Sequence, residues 1–244
     1  LKHTPEISFT NEATRNEVMA NAYFLRAYCY FTLVRVFGDC PLLTSGFESE
    51  KQEDMYPSRT AASEVYAQVE TDIEEALRLM PASSKLLHKA SPAAINMLRT
   101  EYYLWKAKRL GGGNAALSTA QSSVDAVLKA GYALLPTFAD IFNLNNEANS
   151  ELIWTLPYIV NENVTPGTSP NFFAYYLAPN GDRTRLREAG YTEDEVPAGS
   201  HAQYVVPTQA YCDFLAEDAR DTRTDVSVRV FEDKFLTEEV QIKR

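Results

Sequence analysis

The residues with the clearest chemical character lie between positions 157 and 182, in PYIVNENVTPGTSPNFFAYYLAPNGD. Tyr158, Phe172, Phe173, Tyr175 and Tyr176 alternate there with Asn161, Asn163, Asn171, Asn180 and Asp182. A carbohydrate site needs this mixture. The C–H face of a pyranose stacks on an aromatic plane, while amides and carboxylates bridge the hydroxyls whose geometry distinguishes one sugar from another. The candidate ligand-binding residues are therefore Tyr158, Phe173, Tyr175 and Tyr176 for stacking, with Asn171 and Asn180 for hydrogen bonding. The same composition also fits an aromatic-anchored loop that packs on itself, and both readings stand at this point.

Other chemistries find little support. Glu74 and Glu75, or Glu193, Asp194 and Glu195, read as solvated charge and single out no acid–base pair. His3, His88 and His201 fall in no H-E-x-x-H or H-x-E pattern, and no G-x-S-x-G elbow occurs. The expectation is a non-enzymatic protein with no metal or cofactor. Thirty-three acidic against 23 basic residues, a net charge of −10, oppose a nucleic-acid ligand. Cys29, Cys40 and Cys212 form no C-x-x-C pair, and Cys29 is expected as a buried free thiol on an apolar helical face. No apolar run approaches the roughly 20 residues of a membrane span, and the N-terminus has neither an apolar h-region nor a small-residue cleavage site, so an export signal is either absent or removed with preceding sequence.

The elements that must position such a segment are helices. Residues 11–37 carry Val18, Ala22, Leu25, Cys29, Leu33 and Val36 at spacings of three and four, which predicts a helix burying that stripe. Phe24, Tyr28 and Phe31 widen it, so cover on more than one side is expected. Asn11 is the predicted N-cap, Gly38 the left-handed stop, and Pro41 prevents resumption. A second helix is predicted over 60–79, capped by Thr60, with Ala62, Val65, Tyr66, Val69, Ile73, Ala76 and Leu77 inward. A third opens at Ser91-Pro92, with Ala94, Met97, Leu98, Glu101, Tyr102 and Trp105 following at helical spacing. Gly111-Gly112-Gly113-Asn114 ends it; with no Lys-Ser/Thr following, this is a hairpin turn and not a phosphate loop. A fourth helix spans about 115–130. Helices two to four thus read as successive antiparallel hairpins of tetratricopeptide type. Residues 135–142 suggest a short helix and 151–156 a strand, followed by a long irregular region to about 210.

Quoted in order, these segments resemble the SusD/RagB family. FLRAYCYFTLVRVFGDCPL is similar to its signature helix and turn. RTAASEVYAQVETDIEEALRLMP, SPAAINMLRTEYYLWKA and AQSSVDAVLKAGYALLPTFADIFNLNNEANSELIW follow as its next helices, and VPTQAYCDFLAEDARDTR as a later segment. The resemblance implies a mainly α fold: a tetratricopeptide-like helical-hairpin scaffold (SusD-like) with long loops and minor β, residues 1–135 as scaffold and 136–244 as the loop-rich ligand-binding part packed with it as one domain. It implies a cell-surface, outer-membrane lipoprotein that binds oligosaccharide or polysaccharide and delivers it to a SusC-like TonB-dependent transporter. A peptide-capturing member of the family and a helical-repeat adaptor are the alternatives. Family members are about twice as long and carry a lipid-attachment cysteine outside this sequence, so the chain is expected to be a fragment or a short member. Glu101 stands where members often carry arginine, and Arg26 is its expected charge partner.

Overall fold

The computed structural model describes residues 1–46, 56–82, 84, 87–156 and isolated positions between 184 and 221. It divides into two compact units, Leu1–Leu134 with Ala148–Pro157, and Leu135–Glu147 with Tyr158–Arg244. Among the described residues there are five α-helices: α1 Glu12–Phe37, α2 Ala62–Leu79, α3 Pro92–Arg109, α4 Gly113–Leu128 and α5 Phe138–Ile141. None of them is long and apolar enough to cross a membrane.

α1 begins where Asn11 accepts a hydrogen bond from the Ala13 N–H and ends at Gly38, whose φ of 68° no L-residue adopts cheaply. Beyond this stop the chain turns a corner and is held by side chains. Asp39 accepts from the Ala62 N–H at 2.8 Å, and the Thr60 N–H donates to the Cys40 carbonyl. The α2 N-terminus is therefore capped by Asp39, from across the loop, and not by Thr60; Ala61 occupies the cap position without a side-chain bond. Because the end of α1 meets the start of α2, the two helices run antiparallel.

α3 opens as the sequence indicates, with the Ser91 hydroxyl accepting from the Ala94 N–H and proline at its first turn. The triple-glycine turn returns the chain into α4. A Cβ at Gly112 would sit 2.8 Å from that of Ala116, so only glycine fits this hairpin without displacement. Packing couples α1 to α2 and α3 to α4 most extensively, with a lighter α2–α3 contact. The pairs are thus one–two and three–four. α3 and α4 meet through small residues, Ala116, Ala120 and Ser123 on the α4 side, which permit close approach.

The core of the first unit gathers Phe24, Phe31, Val65, Val69, Ile73, Ile95, Leu98 and Tyr102, with Ala20, Ala27 and Ala76 at the helix crossings. On α1 the buried set is Ala20, Phe24, Ala27, Phe31 and Val34. The stripe expected inside, Val18, Leu25, Cys29, Leu33 and Val36, is instead exposed, and Cys29 with it. The two sets are offset by two residues, ~200° around a helix turning 100° per residue, so α1 is apolar on opposite faces. On α3, Met97 likewise lies outside the core, and Ile95 takes its place.

Residues 151–156 form no strand. The segment is irregular, opening with a turn in which the Leu152 N–H donates to the Asn149 carbonyl, and the Cys40–Thr60 contact is an isolated β-bridge, the one found among the described residues. A strand needs a neighbour with free backbone groups. Here the Thr155 N–H donates to the Leu87 carbonyl, while Trp154 packs edge-on against Phe24 and Tyr28 with centroids 5.2 and 5.3 Å away. In the second unit, Thr137 and Asp140 form a capping box that starts the one-turn α5, and Phe138 and Phe142 meet edge to face.

The expected Arg26–Glu101 pair is not formed. Arg26 grips Asp72 with Nε and Nη2, both at 2.7 Å, and Asp72 takes a further bond from Gln68. Glu101 lies at the surface, 3.8 Å from Arg35. Removing one partner of a buried pair leaves an uncompensated charge, so Asp72→Ala should lower the unfolding free energy by about 3–5 kcal/mol in urea titration. Glu101→Gln, at an exposed pair, should change it by less than about 0.5 kcal/mol.

Candidate functional site

Tyr158, Asn171, Phe173, Tyr175, Tyr176 and Asn180 all lie outside the described residues. The structure does describe what leads into that segment. Ser150 holds Ala133 through both its backbone carbonyl and its hydroxyl, at 3.1 Å each. Thr155 is pinned to Leu87, and Trp154 is wedged on α1. Residues 148–156 are thereby fixed to the helical unit immediately before the candidate aromatic segment begins.

A cavity of about 300 Å³ adjoins this anchor, walled by Leu87, Pro92, Ala130, Tyr132, Asn149 and Ile153. Polar groups on its wall are committed to the protein itself. The Ser84 hydroxyl donates to the Ala90 carbonyl, the Ser91 hydroxyl caps α3, and Asn149 Oδ1 accepts from the Glu151 N–H. A wall so engaged supplies shape and few free hydrogen-bonding groups to a ligand.

The corner after α1 is the second anchored loop. The Tyr30 hydroxyl accepts from the Leu43 N–H at 2.7 Å and donates to its carbonyl at 3.2 Å. Arg26, besides holding Asp72, reaches the Thr44 carbonyl at 3.3 Å. Bonding to Asp72 outweighs the cost of burial and raises the Arg26 pKa above its ordinary value, so the guanidinium stays charged. The tyrosine and arginine of the signature helix thus hold the loop; they are not ligand groups waiting for a partner.

Between α2, α3 and α4 runs a polar ladder that sequence reasoning did not single out. Lys106 Nζ contacts both Glu70 oxygens at 2.7 Å, and the Tyr102 and Tyr103 hydroxyls each donate to Glu70 at 2.9 Å. Arg99 joins Glu74 to the Ser123 hydroxyl at 2.8 Å on each side. Glu74 is therefore part of a cross-helix bond and not simply solvated; Glu75 pairs with Arg78 on its own helix. The available signal was position: Glu70 and Glu74 lie four apart, as do Arg99, Tyr103 and, one residue on from that face, Lys106 at a spacing of three. Asp72 had a similar signal, a lone charge within the apolar repeat Val65, Val69, Ile73, Ala76.

The electrostatics of the ladder argue against proton transfer. Burial pushes Glu70 up, but the bonds from Lys106, Tyr102 and Tyr103 outweigh it and hold the carboxyl below its usual range. A general acid at neutral pH needs the opposite shift. Burial, followed by the bond to Glu70, raises both tyrosines above the ordinary phenol value, so they stay neutral. Among the described residues no group of three His, Cys, Asp or Glu could hold a metal ion.

These shifts set the pH behaviour. Neutral Tyr102 and Tyr103 contribute stability that is complete below about pH 10 and lost as the pH rises through their higher folded values. Ionised Glu70 contributes stability that is complete above about pH 4.3 and lost as the pH falls through its lower folded value. Tyr103→Phe should flatten the alkaline limb of a urea-stability profile, and Glu70→Gln the acid limb, measured between about pH 3 and pH 11.

The sequence model of a SusD-like family, described as "Starch-binding associating with outer membrane", matches residues 5–104. SusD-like protein P2 of Formosa agariphila is 27% identical over 215 residues, covering 87% of this chain and 39% of its own length. NanU of Bacteroides fragilis superposes on 99% of this chain with a TM-score of 0.81 at 25% identity, over 49% of its own chain. A SusD superfamily protein from Bacteroides vulgatus does so on 96% with a TM-score of 0.79 at 28% identity, over 48% of its own chain. This chain thus spans about two-fifths of that curated relative and about half of each solved chain.

Proposed function

We propose, for a chain that belongs to the SusD/RagB family, that its function is to bind oligosaccharide or polysaccharide at the outer-membrane surface and pass it to a TonB-dependent transporter. The observation that carries the reading is the match of residues 5–104 to a family described as starch-binding and associated with the outer membrane, on a chain similar to two solved superfamily members.

In this reading residues 1–135 are scaffold and 136–244 carry the ligand. The described part supports that division by its chemistry. The charged and hydroxyl groups of α1 to α4 detailed above are spent on one another, across helices or on the adjoining loops. Ligand recognition then falls to the segment that opens at residue 157, where Tyr158, Phe173, Tyr175 and Tyr176 would stack on sugar rings and Asn171 and Asn180 would select their hydroxyls.

Isothermal titration of the complete gene product against a panel of polysaccharides and their oligosaccharides tests the proposal. One or more should bind, and Tyr175→Ala with Tyr176→Ala should weaken that binding at least about tenfold while leaving the melting temperature unchanged. Absence of binding to every glycan in the panel overturns it.

A further inference from the structure

The chain leaves the helical unit over a single aromatic residue. Residues 151–155 are half-buried, and Leu156, the next along, is 61% exposed. Trp154 is the last ring of this stretch. Its indole meets Phe24 edge-on, at an interplanar angle of 83°, and Tyr28 at 65°. Phe24 and Tyr28 lie one helical turn apart on α1 with their planes 27° from parallel, so they form one wall. Phe24 is 2% exposed, and Arg26, between the two in sequence, grips Asp72. The wall is therefore fixed together with the register of α1 against α2.

Other ties in the stretch are weaker or more remote. The bond from the Thr155 N–H to Leu87 is a single backbone contact that water can replace. Ser150 binds Ala133 twice, but Tyr158 stands eight residues beyond Ser150 and four beyond Trp154. Four residues of chain span at most about 14 Å, so Trp154 constrains the start of the aromatic segment about twice as closely. Its indole N–H takes no part. Trp105 donates its own to the Tyr66 hydroxyl at 3.0 Å, whereas the Trp154 ring makes no hydrogen bond among the described residues. Ring packing alone holds it.

We propose that Trp154 is a positioning residue for ligand binding. Docked on Phe24 and Tyr28, it fixes the place and direction from which the chain enters residues 157–182, so less freedom remains to be lost when a glycan is bound. It acts through Tyr158 and the residues that follow, and does not touch the glycan. This rests on the glycan-binding reading. A tryptophan that served the core alone would change how much protein folds; a positioning tryptophan changes the affinity of protein that has folded.

Trp154→Ala, Trp154→Phe and Tyr28→Ala in the complete gene product test this. Each is titrated against soluble starch and the rest of the polysaccharide panel, at a temperature where circular dichroism shows it folded. Trp154→Ala should weaken every binding that the parent shows at least about tenfold, as for a segment competent about a tenth of the time. Tyr28→Ala removes the exposed half of the wall and leaves Phe24, and should weaken binding at least about threefold even where Trp154→Ala fails to fold. Trp154→Phe keeps a ring and gives up an N–H that is not used, and should stay within about twofold. Hydrogen exchange without ligand, followed by mass spectrometry, should quicken in peptides from 157–165 of either alanine variant and stay unchanged in α2 and α4. Parental affinity in a folded alanine variant overturns the proposal. Unchanged exchange beyond residue 157 also overturns it, and leaves the glycan reading standing if the parent binds. A parent that binds no glycan brings down the glycan reading, while quickened exchange in the variants then still supports the anchor.

Discussion

The ion pair between Arg26 and Asp72 is the constraint on which the first unit depends. Asp72 is fully enclosed between α1 and α2, where an unpaired carboxylate would cost several kcal/mol. Its ionised form is tolerated because both oxygens are engaged, one by Arg26 Nε, the other by Arg26 Nη2 and Gln68. That geometry accepts one register of α1 against α2. A slide of either helix by one turn would strand the carboxylate in the apolar layer formed by Phe24, Phe31, Val69 and Ile73. Hydrophobic burial supplies most of the attraction between these helices, but it has no direction; the pair supplies the direction.

From this fixed register the corner follows. The same guanidinium reaches the Thr44 carbonyl, Tyr30 brackets Leu43, and Asp39 caps α2, so that each polar group of the turn finds its partner on a helix already placed. The second helical pair is attached differently. α3 meets α2 through a ladder in which Glu70 and Glu74 collect Tyr102, Tyr103, Lys106 and Arg99, and Arg99 carries the contact on to Ser123 of α4. The ladder runs beside the apolar core that α3 shares with α1 and α2 through Ile95, Leu98 and Tyr102, so burial supplies the attraction between the pairs and the polar groups supply its specificity. Residues 148–156 are tied to this scaffold at Ala133, Leu87 and Phe24, which fixes where the candidate ligand segment departs.

α1 shows why the inward face of a helix is hard to assign from its own residues. Two apolar stripes, both at spacings of three and four, run along it on opposite sides. The one with more aliphatic residues was the natural choice for the core. The structure buries the other, because Ala20 and Ala27 let α2 approach closely while Phe24 and Phe31 fill the space beside them. Periodicity reports that a face is apolar and is silent about which neighbour arrives there. The misplaced strand at 151–156 has the same origin: Leu-Ile-Trp-Thr-Leu has the composition of a strand, but strand pairing needs a partner edge, and the described neighbours offer one carbonyl and a hydrophobic notch.

By itself the sequence determined what depends on neighbours in the chain: the ends of α1 and α3 through Asn11, Gly38, Ser91 and Pro92, the glycine hairpin, and the ordered motifs that resemble the SusD/RagB family. Caps and turns are satisfied within a few residues, so their chemistry is written locally. Tertiary structure alone decided which stripe of α1 is covered, that Asp72 and not Glu101 receives Arg26, that Asp39 caps α2, and that Glu70 gathers two tyrosines and a lysine. Each of those joins residues 23 to 46 positions apart, or selects between two faces that are equally apolar. The aromatic and amide residues beyond 157 were legible as carbohydrate-type chemistry from composition. A site also requires those rings and amides to converge in space, and convergence is a property of packing that no local pattern contains.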